Sequence, residues 1–220
     1  MKVFLTSRGI GLTLLVLCAV CGISTLDQSQ ATAFSPICIR KTARPVFETQ
    51  RYFPPGVLSS SEWQDRFKVK WYSRALTAMK EPSLSLPQRG QTQTYRFLWL
   101  RSFDNPIVVR IWRSESNVYL VTKQLDGDGG HYPGKLVVNR TRSLSTKEWD
   151  QFTKRLDESS YWTLATDIGD IGNDGAQWVL EGAREGSYHV VDRWSPKDDS
   201  YRRACSHLLA LSGLKLGKIY

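Results

Sequence analysis

The sequence predicts an α+β fold: a single antiparallel sheet, made of a meander and a carboxyl-terminal hairpin, with about three helices packed on one of its faces. Three observations lead there. Runs rich in aromatic and β-branched residues follow one another through links with turn chemistry, as antiparallel strands do. Other stretches carry apolar residues at helical spacing and are bounded by capping residues or proline. The order is helix, three or four strands, helix, two strands, helix, which suits helices layered on an antiparallel sheet. The 220 residues are 41% hydrophobic, 11% aromatic and 23% charged, which excludes a disordered, collagen-like or polytopic membrane chain. The length suffices for one generous core.

The amino terminus is organised for export. Lys2 and Arg8 precede an apolar stretch of 14 residues from Ile10 to Ile23, and a polar run ends in Ala31-Thr32-Ala33. This three-part order is that of a secretory signal peptide, with cleavage expected after Ala33. The stretch is short for a membrane span, although a retained amino-terminal anchor is the alternative. Cys18 and Cys21 follow Leu17 and Val20 rather than small residues, which disfavours a lipoprotein. Residues 34–59, with Pro36, Pro45, Pro54, Pro55 and Gly56, have no sustained period and read as an extended arm. Residues 60–220 read as a single domain.

Within that domain the first helix starts at Ser60 and stops at Glu81-Pro82. Trp63, Phe67 and Trp71 recur every four residues, with Val69, Tyr72, Leu76 and Met79 as an adjoining stripe. So wide an arc predicts a largely buried helix. Arg66, Lys70 and Arg74 form the remaining ridge. Strands follow over residues 94–103, 107–112, 118–124 and 135–141, the first two joined by Asp104-Asn105-Pro106. Ser145 and Glu148 then compose a capping box, with a Leu144 to Trp149 staple, ahead of a helix whose buried stripe is Trp149, Phe152 and Leu156. A hairpin spans residues 177–194 around Arg184-Glu185. Ser195-Pro196 offers an N-cap and first-turn proline for a last helix that Gly213 ends.

The hairpin is the densest feature. Pairing Gly182 with Ser187 puts Gln177, Val179, Glu181, Tyr188, Val190, Asp192 and Trp194 on one face, with Trp178, Leu180, His189, Val191 and Arg193 on the other. The second face is expected in the core. On the first, Gln177 stands opposite Asp192 and Glu181 opposite Tyr188. That arrangement is either a shelf for polar ligands, with general acid/base work by Glu181 and Asp192 at its sharpest, or the solvated face of a half-exposed hairpin. The solvated face is the default.

Other constellations are weaker. Asp126-Gly127-Asp128-Gly129-Gly130-His131 alternates carboxylates with glycines but lacks the later oxygen ligands and terminal glutamate of a calcium loop, and reads as a turn. A second loop, Asp167 to Gly175, shares that weakness; the two make a cation site only if they meet at one end of the sheet. The three histidines, His131, His189 and His207, have no metal-ligand spacing. Nucleophile-elbow, P-loop and dinucleotide motifs do not occur, so neither cofactor nor metal is expected. After signal removal Cys38 and Cys205 are left, and an oxidising compartment predicts a disulfide between them, a buried thiol at Cys205 being the alternative.

The segments Tyr95–Phe103, Leu125-Asp126-Gly127 and Pro133-Gly134-Lys135, and above all Asp174–Gly182 and Tyr188–Pro196, are similar to an uncharacterised family of bacterial exported proteins that shares the patterns D-G-A-Q-W-x-L-E-G and Y-H-V-V-D-R-W-S-P. The likeness covers Tyr95 to Leu211. It implies a periplasmic or secreted setting and carries over no activity and no catalytic residue.

The formal net charge of +9 is unevenly placed. Without Lys2, Arg8 and Asp27 there are 28 basic and 20 acidic residues, and residues 121–220 hold 14 of each. The excess belongs to the first part, including the Arg66, Lys70 and Arg74 ridge. In an exported protein this suits anionic lipid headgroups or an anionic envelope polymer, and no nucleic acid is expected. The function these readings favour is non-enzymatic binding or an accessory role in the bacterial envelope, with another exported protein as a possible partner. The rival is a small hydrolase or transferase using the hairpin carboxylates.

Overall fold

The computed structural model describes residues 51–220 apart from Pro87 and Ile171. The expected signal peptide, Cys38 and most of the expected arm lie outside the described residues. Six strands, β1 (Gln93–Arg101), β2 (Ile107–Arg113), β3 (Val118–Leu125), β4 (Leu136–Leu144), β5 (Ala176–Arg184) and β6 (Ser187–Trp194), form one sheet in the order β4-β3-β2-β1-β5-β6. Every neighbouring pair is antiparallel. The meander and the hairpin meet where β1 pairs with β5 along its whole length, from Gln93↔Arg184 to Arg101↔Ala176.

Helices cover both faces of this sheet, not one. On the first face α2 (Thr146–Glu158) and α3 (Ser200–Ser212) pack on Phe97, Trp99, Val109, Trp178, Leu180 and Val191. On the second, α1 (Glu62–Ala78) packs on Leu98, Leu100, Val108, Val179 and Val190. Burial on both sides explains why β1, with its run Tyr95-Arg96-Phe97-Leu98-Trp99-Leu100, does not alternate apolar with polar. Tyr52, Phe53 and Leu58 also pack into the α1-side core. Residues 51–59 are therefore part of the domain's packing; Asp65 in the first turn of α1 holds them, its carboxylate accepting from the backbone N–H groups of Gly56 and Leu58, both at 2.9 Å.

The cap of α2 follows the sequence: Ser145 and Glu148 form the reciprocal box, and Trp149, Phe152 and Leu156 are its buried stripe. The start of α3 does not. Its N-cap is Asp199, whose side chain accepts from Arg202 N–H. Ser195 sits at φ 39° and clamps the end of the hairpin instead, its N–H donating to Ala176 O and its Oγ accepting from Ala176 N–H. Gly213 ends α3 at φ 65°, as its position suggested.

The hairpin register also differs. Arg184 pairs with Ser187, so the turn is Glu185-Gly186, with both residues at positive φ (47° and 76°), the geometry of a tight two-residue connection. A shift of two positions preserves the faces, so the expected grouping of side chains holds while the expected partners move. Gln177 faces Trp194 and Glu181 faces Val190.

Candidate functional site

The first helix buries a different stripe from the one its tryptophans suggest. Tyr72, Ala75, Leu76 and Met79 pack into the sheet-side core, and Asp65 is buried under the 56–58 segment. Trp63 is 73% exposed and Phe67 53%, with Trp71 partly covered. Their rings follow one another along the helix, Trp63 stacked on Phe67 at 5.8 Å and Phe67 tilted against Trp71 at 5.9 Å. This row is one wall of a cleft of about 420 Å³. The opposite wall comes from loops at the β1–β5–β6 end of the sheet, with Phe103, Trp194, Asp167, Asp170 and Asp174.

Backbone close approach shapes that wall. A Cβ on Gly172 would lie 1.8 Å from Trp194 Nε1, so only glycine lets the loop cross the indole. Gly129 is held equally tightly: a Cβ there would stand 2.5 Å from Arg101 O. Its own carbonyl accepts from Trp71 Nε1 at 2.6 Å, which ties α1 to the loop after β3.

Beneath the aromatic row lies a polar floor. Lys68 reaches Asp192 at 3.0 Å and Asp167 at 3.2 Å. Asp192, 0% exposed, also accepts from Tyr72 OH at 2.9 Å and from Gln177 Nε2. Burial pushes the Asp192 carboxyl above the usual aspartate value, opposed by Lys68, Gln177 and Tyr72. Burial acts to lower Lys68, and the two carboxylates outweigh it, so its ammonium is held more tightly than in water. Burial and Asp192 together push Tyr72 well above a free phenol.

The other two hairpin candidates lie in a separate cluster. Glu181 accepts from Arg96 Nε at 2.7 Å and from Tyr188 OH at 2.9 Å. Arg96 NH1 donates to Pro82 O at 2.6 Å and stands 3.6 Å from Glu81. Glu81 in turn meets Arg110 and Lys123, each at 2.8 Å. Lys123 closes the carboxyl end of α1 by donating to Met79 O and Lys80 O. Burial would raise Glu81, but Arg110, Arg96 and Lys123 outweigh it and hold it below its ordinary value. For Glu181 burial prevails over Arg96 and the shift is upward.

The hairpin face is thus neither a single shelf nor solvated. Gln177, Glu181 and Asp192 are buried: Lys68 and Tyr72 of α1 cover Asp192, to which Gln177 is bonded, and Arg96 and Tyr188 enclose Glu181. The structure brings Gln177 to Asp192 and Glu181 to Tyr188 as diagonal neighbours, and it separates the two pairs. The sequence reading gave no role to Lys68 or Arg96 in these clusters, and took Tyr72 only as part of an apolar stripe, Glu81 only as the helix stop and Asp167 only as part of a loop. For the helix a signal existed: Asp65, Lys68 and Tyr72 share the spacing i, i+3, i+7, the side that the apolar Leu76 and Met79 bury.

The remaining candidates take other roles. Arg66 pairs with Glu62 at 3.6 Å on an exposed surface and Arg74 donates to His131 O at 2.8 Å, which leaves Lys70 as the ridge residue that neither contact engages. The loops 126–131 and 167–175 do meet at one end of the sheet, both lining the cleft. Most of their carboxylates take backbone N–H groups: Asp126 takes Lys135, Asp128 takes His131 and Tyr132, Asp167 takes Gly169, and Asp170 takes Trp194 through one of its two oxygens. Among the described residues no cluster of three or more His, Cys, Asp or Glu has the arrangement of a metal site. Cys205 has no disulfide partner among the described residues, Cys38 lying outside them; it is fully buried in the α2–α3 core, and burial pushes its thiol pKa up. No described helix is long and apolar enough to cross a membrane. No family model, curated protein or solved structure matches the chain.

Proposed function

We propose that this is an exported, non-enzymatic binding protein of the bacterial envelope whose ligand occupies the cleft between α1 and the 167–175 loop. Export rests on the order of charges and apolar residues in positions 1–33, and the bacterial setting on the likeness over Tyr95 to Leu211. The observation that carries the binding reading is the exposure of Trp63 and Phe67 along the cleft wall. Large aromatics left open beside a concave surface are unused contact area, and a ligand recovers it.

The hydrolase or transferase alternative draws less support. A general acid or base must reach a substrate proton. Glu181 is 0% exposed and engaged by Arg96 and Tyr188, and Asp192 already accepts from Tyr72, Lys68 and Gln177. Both carboxylates are bound up inside the fold. The Arg66, Lys70 and Arg74 ridge supports a secondary electrostatic contact with an anionic lipid surface or polymer, weakened by the two pairings already made.

Co-sedimentation of the purified protein with isolated bacterial envelopes tests the reading. The parent is expected in the pellet and a Trp63→Ala/Phe67→Ala variant in the supernatant. Equal retention of the two, or retention of neither, overturns it.

A further inference from the structure

The cleft has a charge opposite to that of the chain. Asp167, Asp170 and Asp174 line it and Asp192 lies directly beneath, against the single ammonium of Lys68. That ammonium is already shared between Asp167 and Asp192. The basic ridge compensates only at the rim. At 100° per residue, Arg66 and Lys70 project from the flank of α1 beyond Trp63, away from Lys68 and the cleft floor, while Arg74 reaches the rim, where its guanidinium donates to His131 O. A protein of net charge +9 therefore has a locally acidic hollow walled by aromatic rings.

Two features favour one ligand class. Aromatic faces carry negative electrostatic potential and attract a cation set over them, most strongly when the cation is desolvated. Asp170 supplies the second: its Oδ2 accepts from Trp194 N–H at 2.8 Å, while its Oδ1 is buried without a partner among the described residues. A carboxylate oxygen enclosed without a donor is costly, and positive charge held in the adjoining cleft offsets part of that cost through space. A neutral sugar would use the aromatic wall and donate hydroxyls to the carboxylates but leave their charge unbalanced, and an anionic polymer would be repelled by them.

We infer that the cleft takes an organic cation, an ammonium group carried on an apolar body, seated between the Trp63–Phe67–Trp71 row and the Asp170 carboxylate. The inference rests on the cleft being the ligand seat and adds the charge of the ligand. Its test is tryptophan emission of the purified protein titrated in parallel with choline, with the uncharged tert-butyl isostere of choline, and with a neutral chitooligosaccharide. The expected result is tighter binding of choline than of its isostere by about tenfold. That preference should be lost in Asp170→Asn/Asp174→Asn at an unchanged melting temperature, and all binding lost in Trp63→Ala/Phe67→Ala. Equal affinity for choline and its isostere, preference for the oligosaccharide, or no response to choline overturns the cation assignment. The cleft reading stands apart from these outcomes, because envelope retention that depends on Trp63 and Phe67 supports it whichever ligand wins.

Discussion

Two charged clusters occupy the α1 side of the same hairpin, and they differ in their access to solvent. Around Glu181, the Arg96, Glu81, Arg110 and Lys123 groups are buried and answer one another within the protein. Around Asp192, the Lys68 and Gln177 side chains form the floor of an open cleft. The first cluster ties β1, β2, β3 and β5 to the end of α1. The second joins α1 to β5, β6 and the loop before β5, and carries an aromatic wall whose Trp63 and Phe67 rings stay exposed. Similar residue types thus serve stability at one end of a sheet and leave room for a ligand at the other.

The comparison is broken most severely at Arg96. Replacing it with Met strands Glu181 in the core, and the expected loss of stability is about 3–5 kcal/mol, read from urea unfolding. A loss under about 1 kcal/mol would mean that the cluster is not sealed. Lys68→Met at the cleft floor should cost about 2 kcal/mol, since Asp192 keeps Tyr72 and Gln177.

Acid sharpens the same contrast, because the two carboxyls are shifted in opposite directions. Glu81 lies below its ordinary value in the fold, so its contribution is full above about pH 4.5 and is lost as pH falls through the folded value. Asp192 lies above its ordinary value, so whatever it contributes is present at low pH and is lost as pH rises through its folded value. Unfolding of Glu81→Gln and Asp192→Asn at pH 7 and at pH 3.5 separates them. The deficit of Glu81→Gln should shrink on acidification, whereas Asp192→Asn should compare more favourably with the parent at pH 7 than at pH 3.5.

Much of the fold was legible. The four meander strands, the Ser145 box and the Gly213 stop follow from local chemistry that tertiary contacts did not override. What was missed was non-local. In α1 the stripe of Tyr72 and Leu76 competes with that of the larger aromatics, and size was a poor guide: Trp63 and Phe67 are exposed, while the stripe with Asp65 and Lys68 in it is buried or half-buried. The hairpin faces were legible from parity, but the partners depended on whether Glu185 accepts a positive φ. Ser195 lost its N-cap role because Ala176 claims both its polar groups. The separation of Glu181 from Asp192 needed Arg96 and Lys68, which come from elements distant in sequence.

The smallest stability change bears on the central claim, that the Trp63 and Phe67 row is a binding wall and not core. Urea unfolding of Trp63→Ala/Phe67→Ala measures it directly. The account predicts a change within about 1 kcal/mol for the pair, whereas a loss of about 3–5 kcal/mol for each ring, as buried aromatics give on truncation, would contradict it.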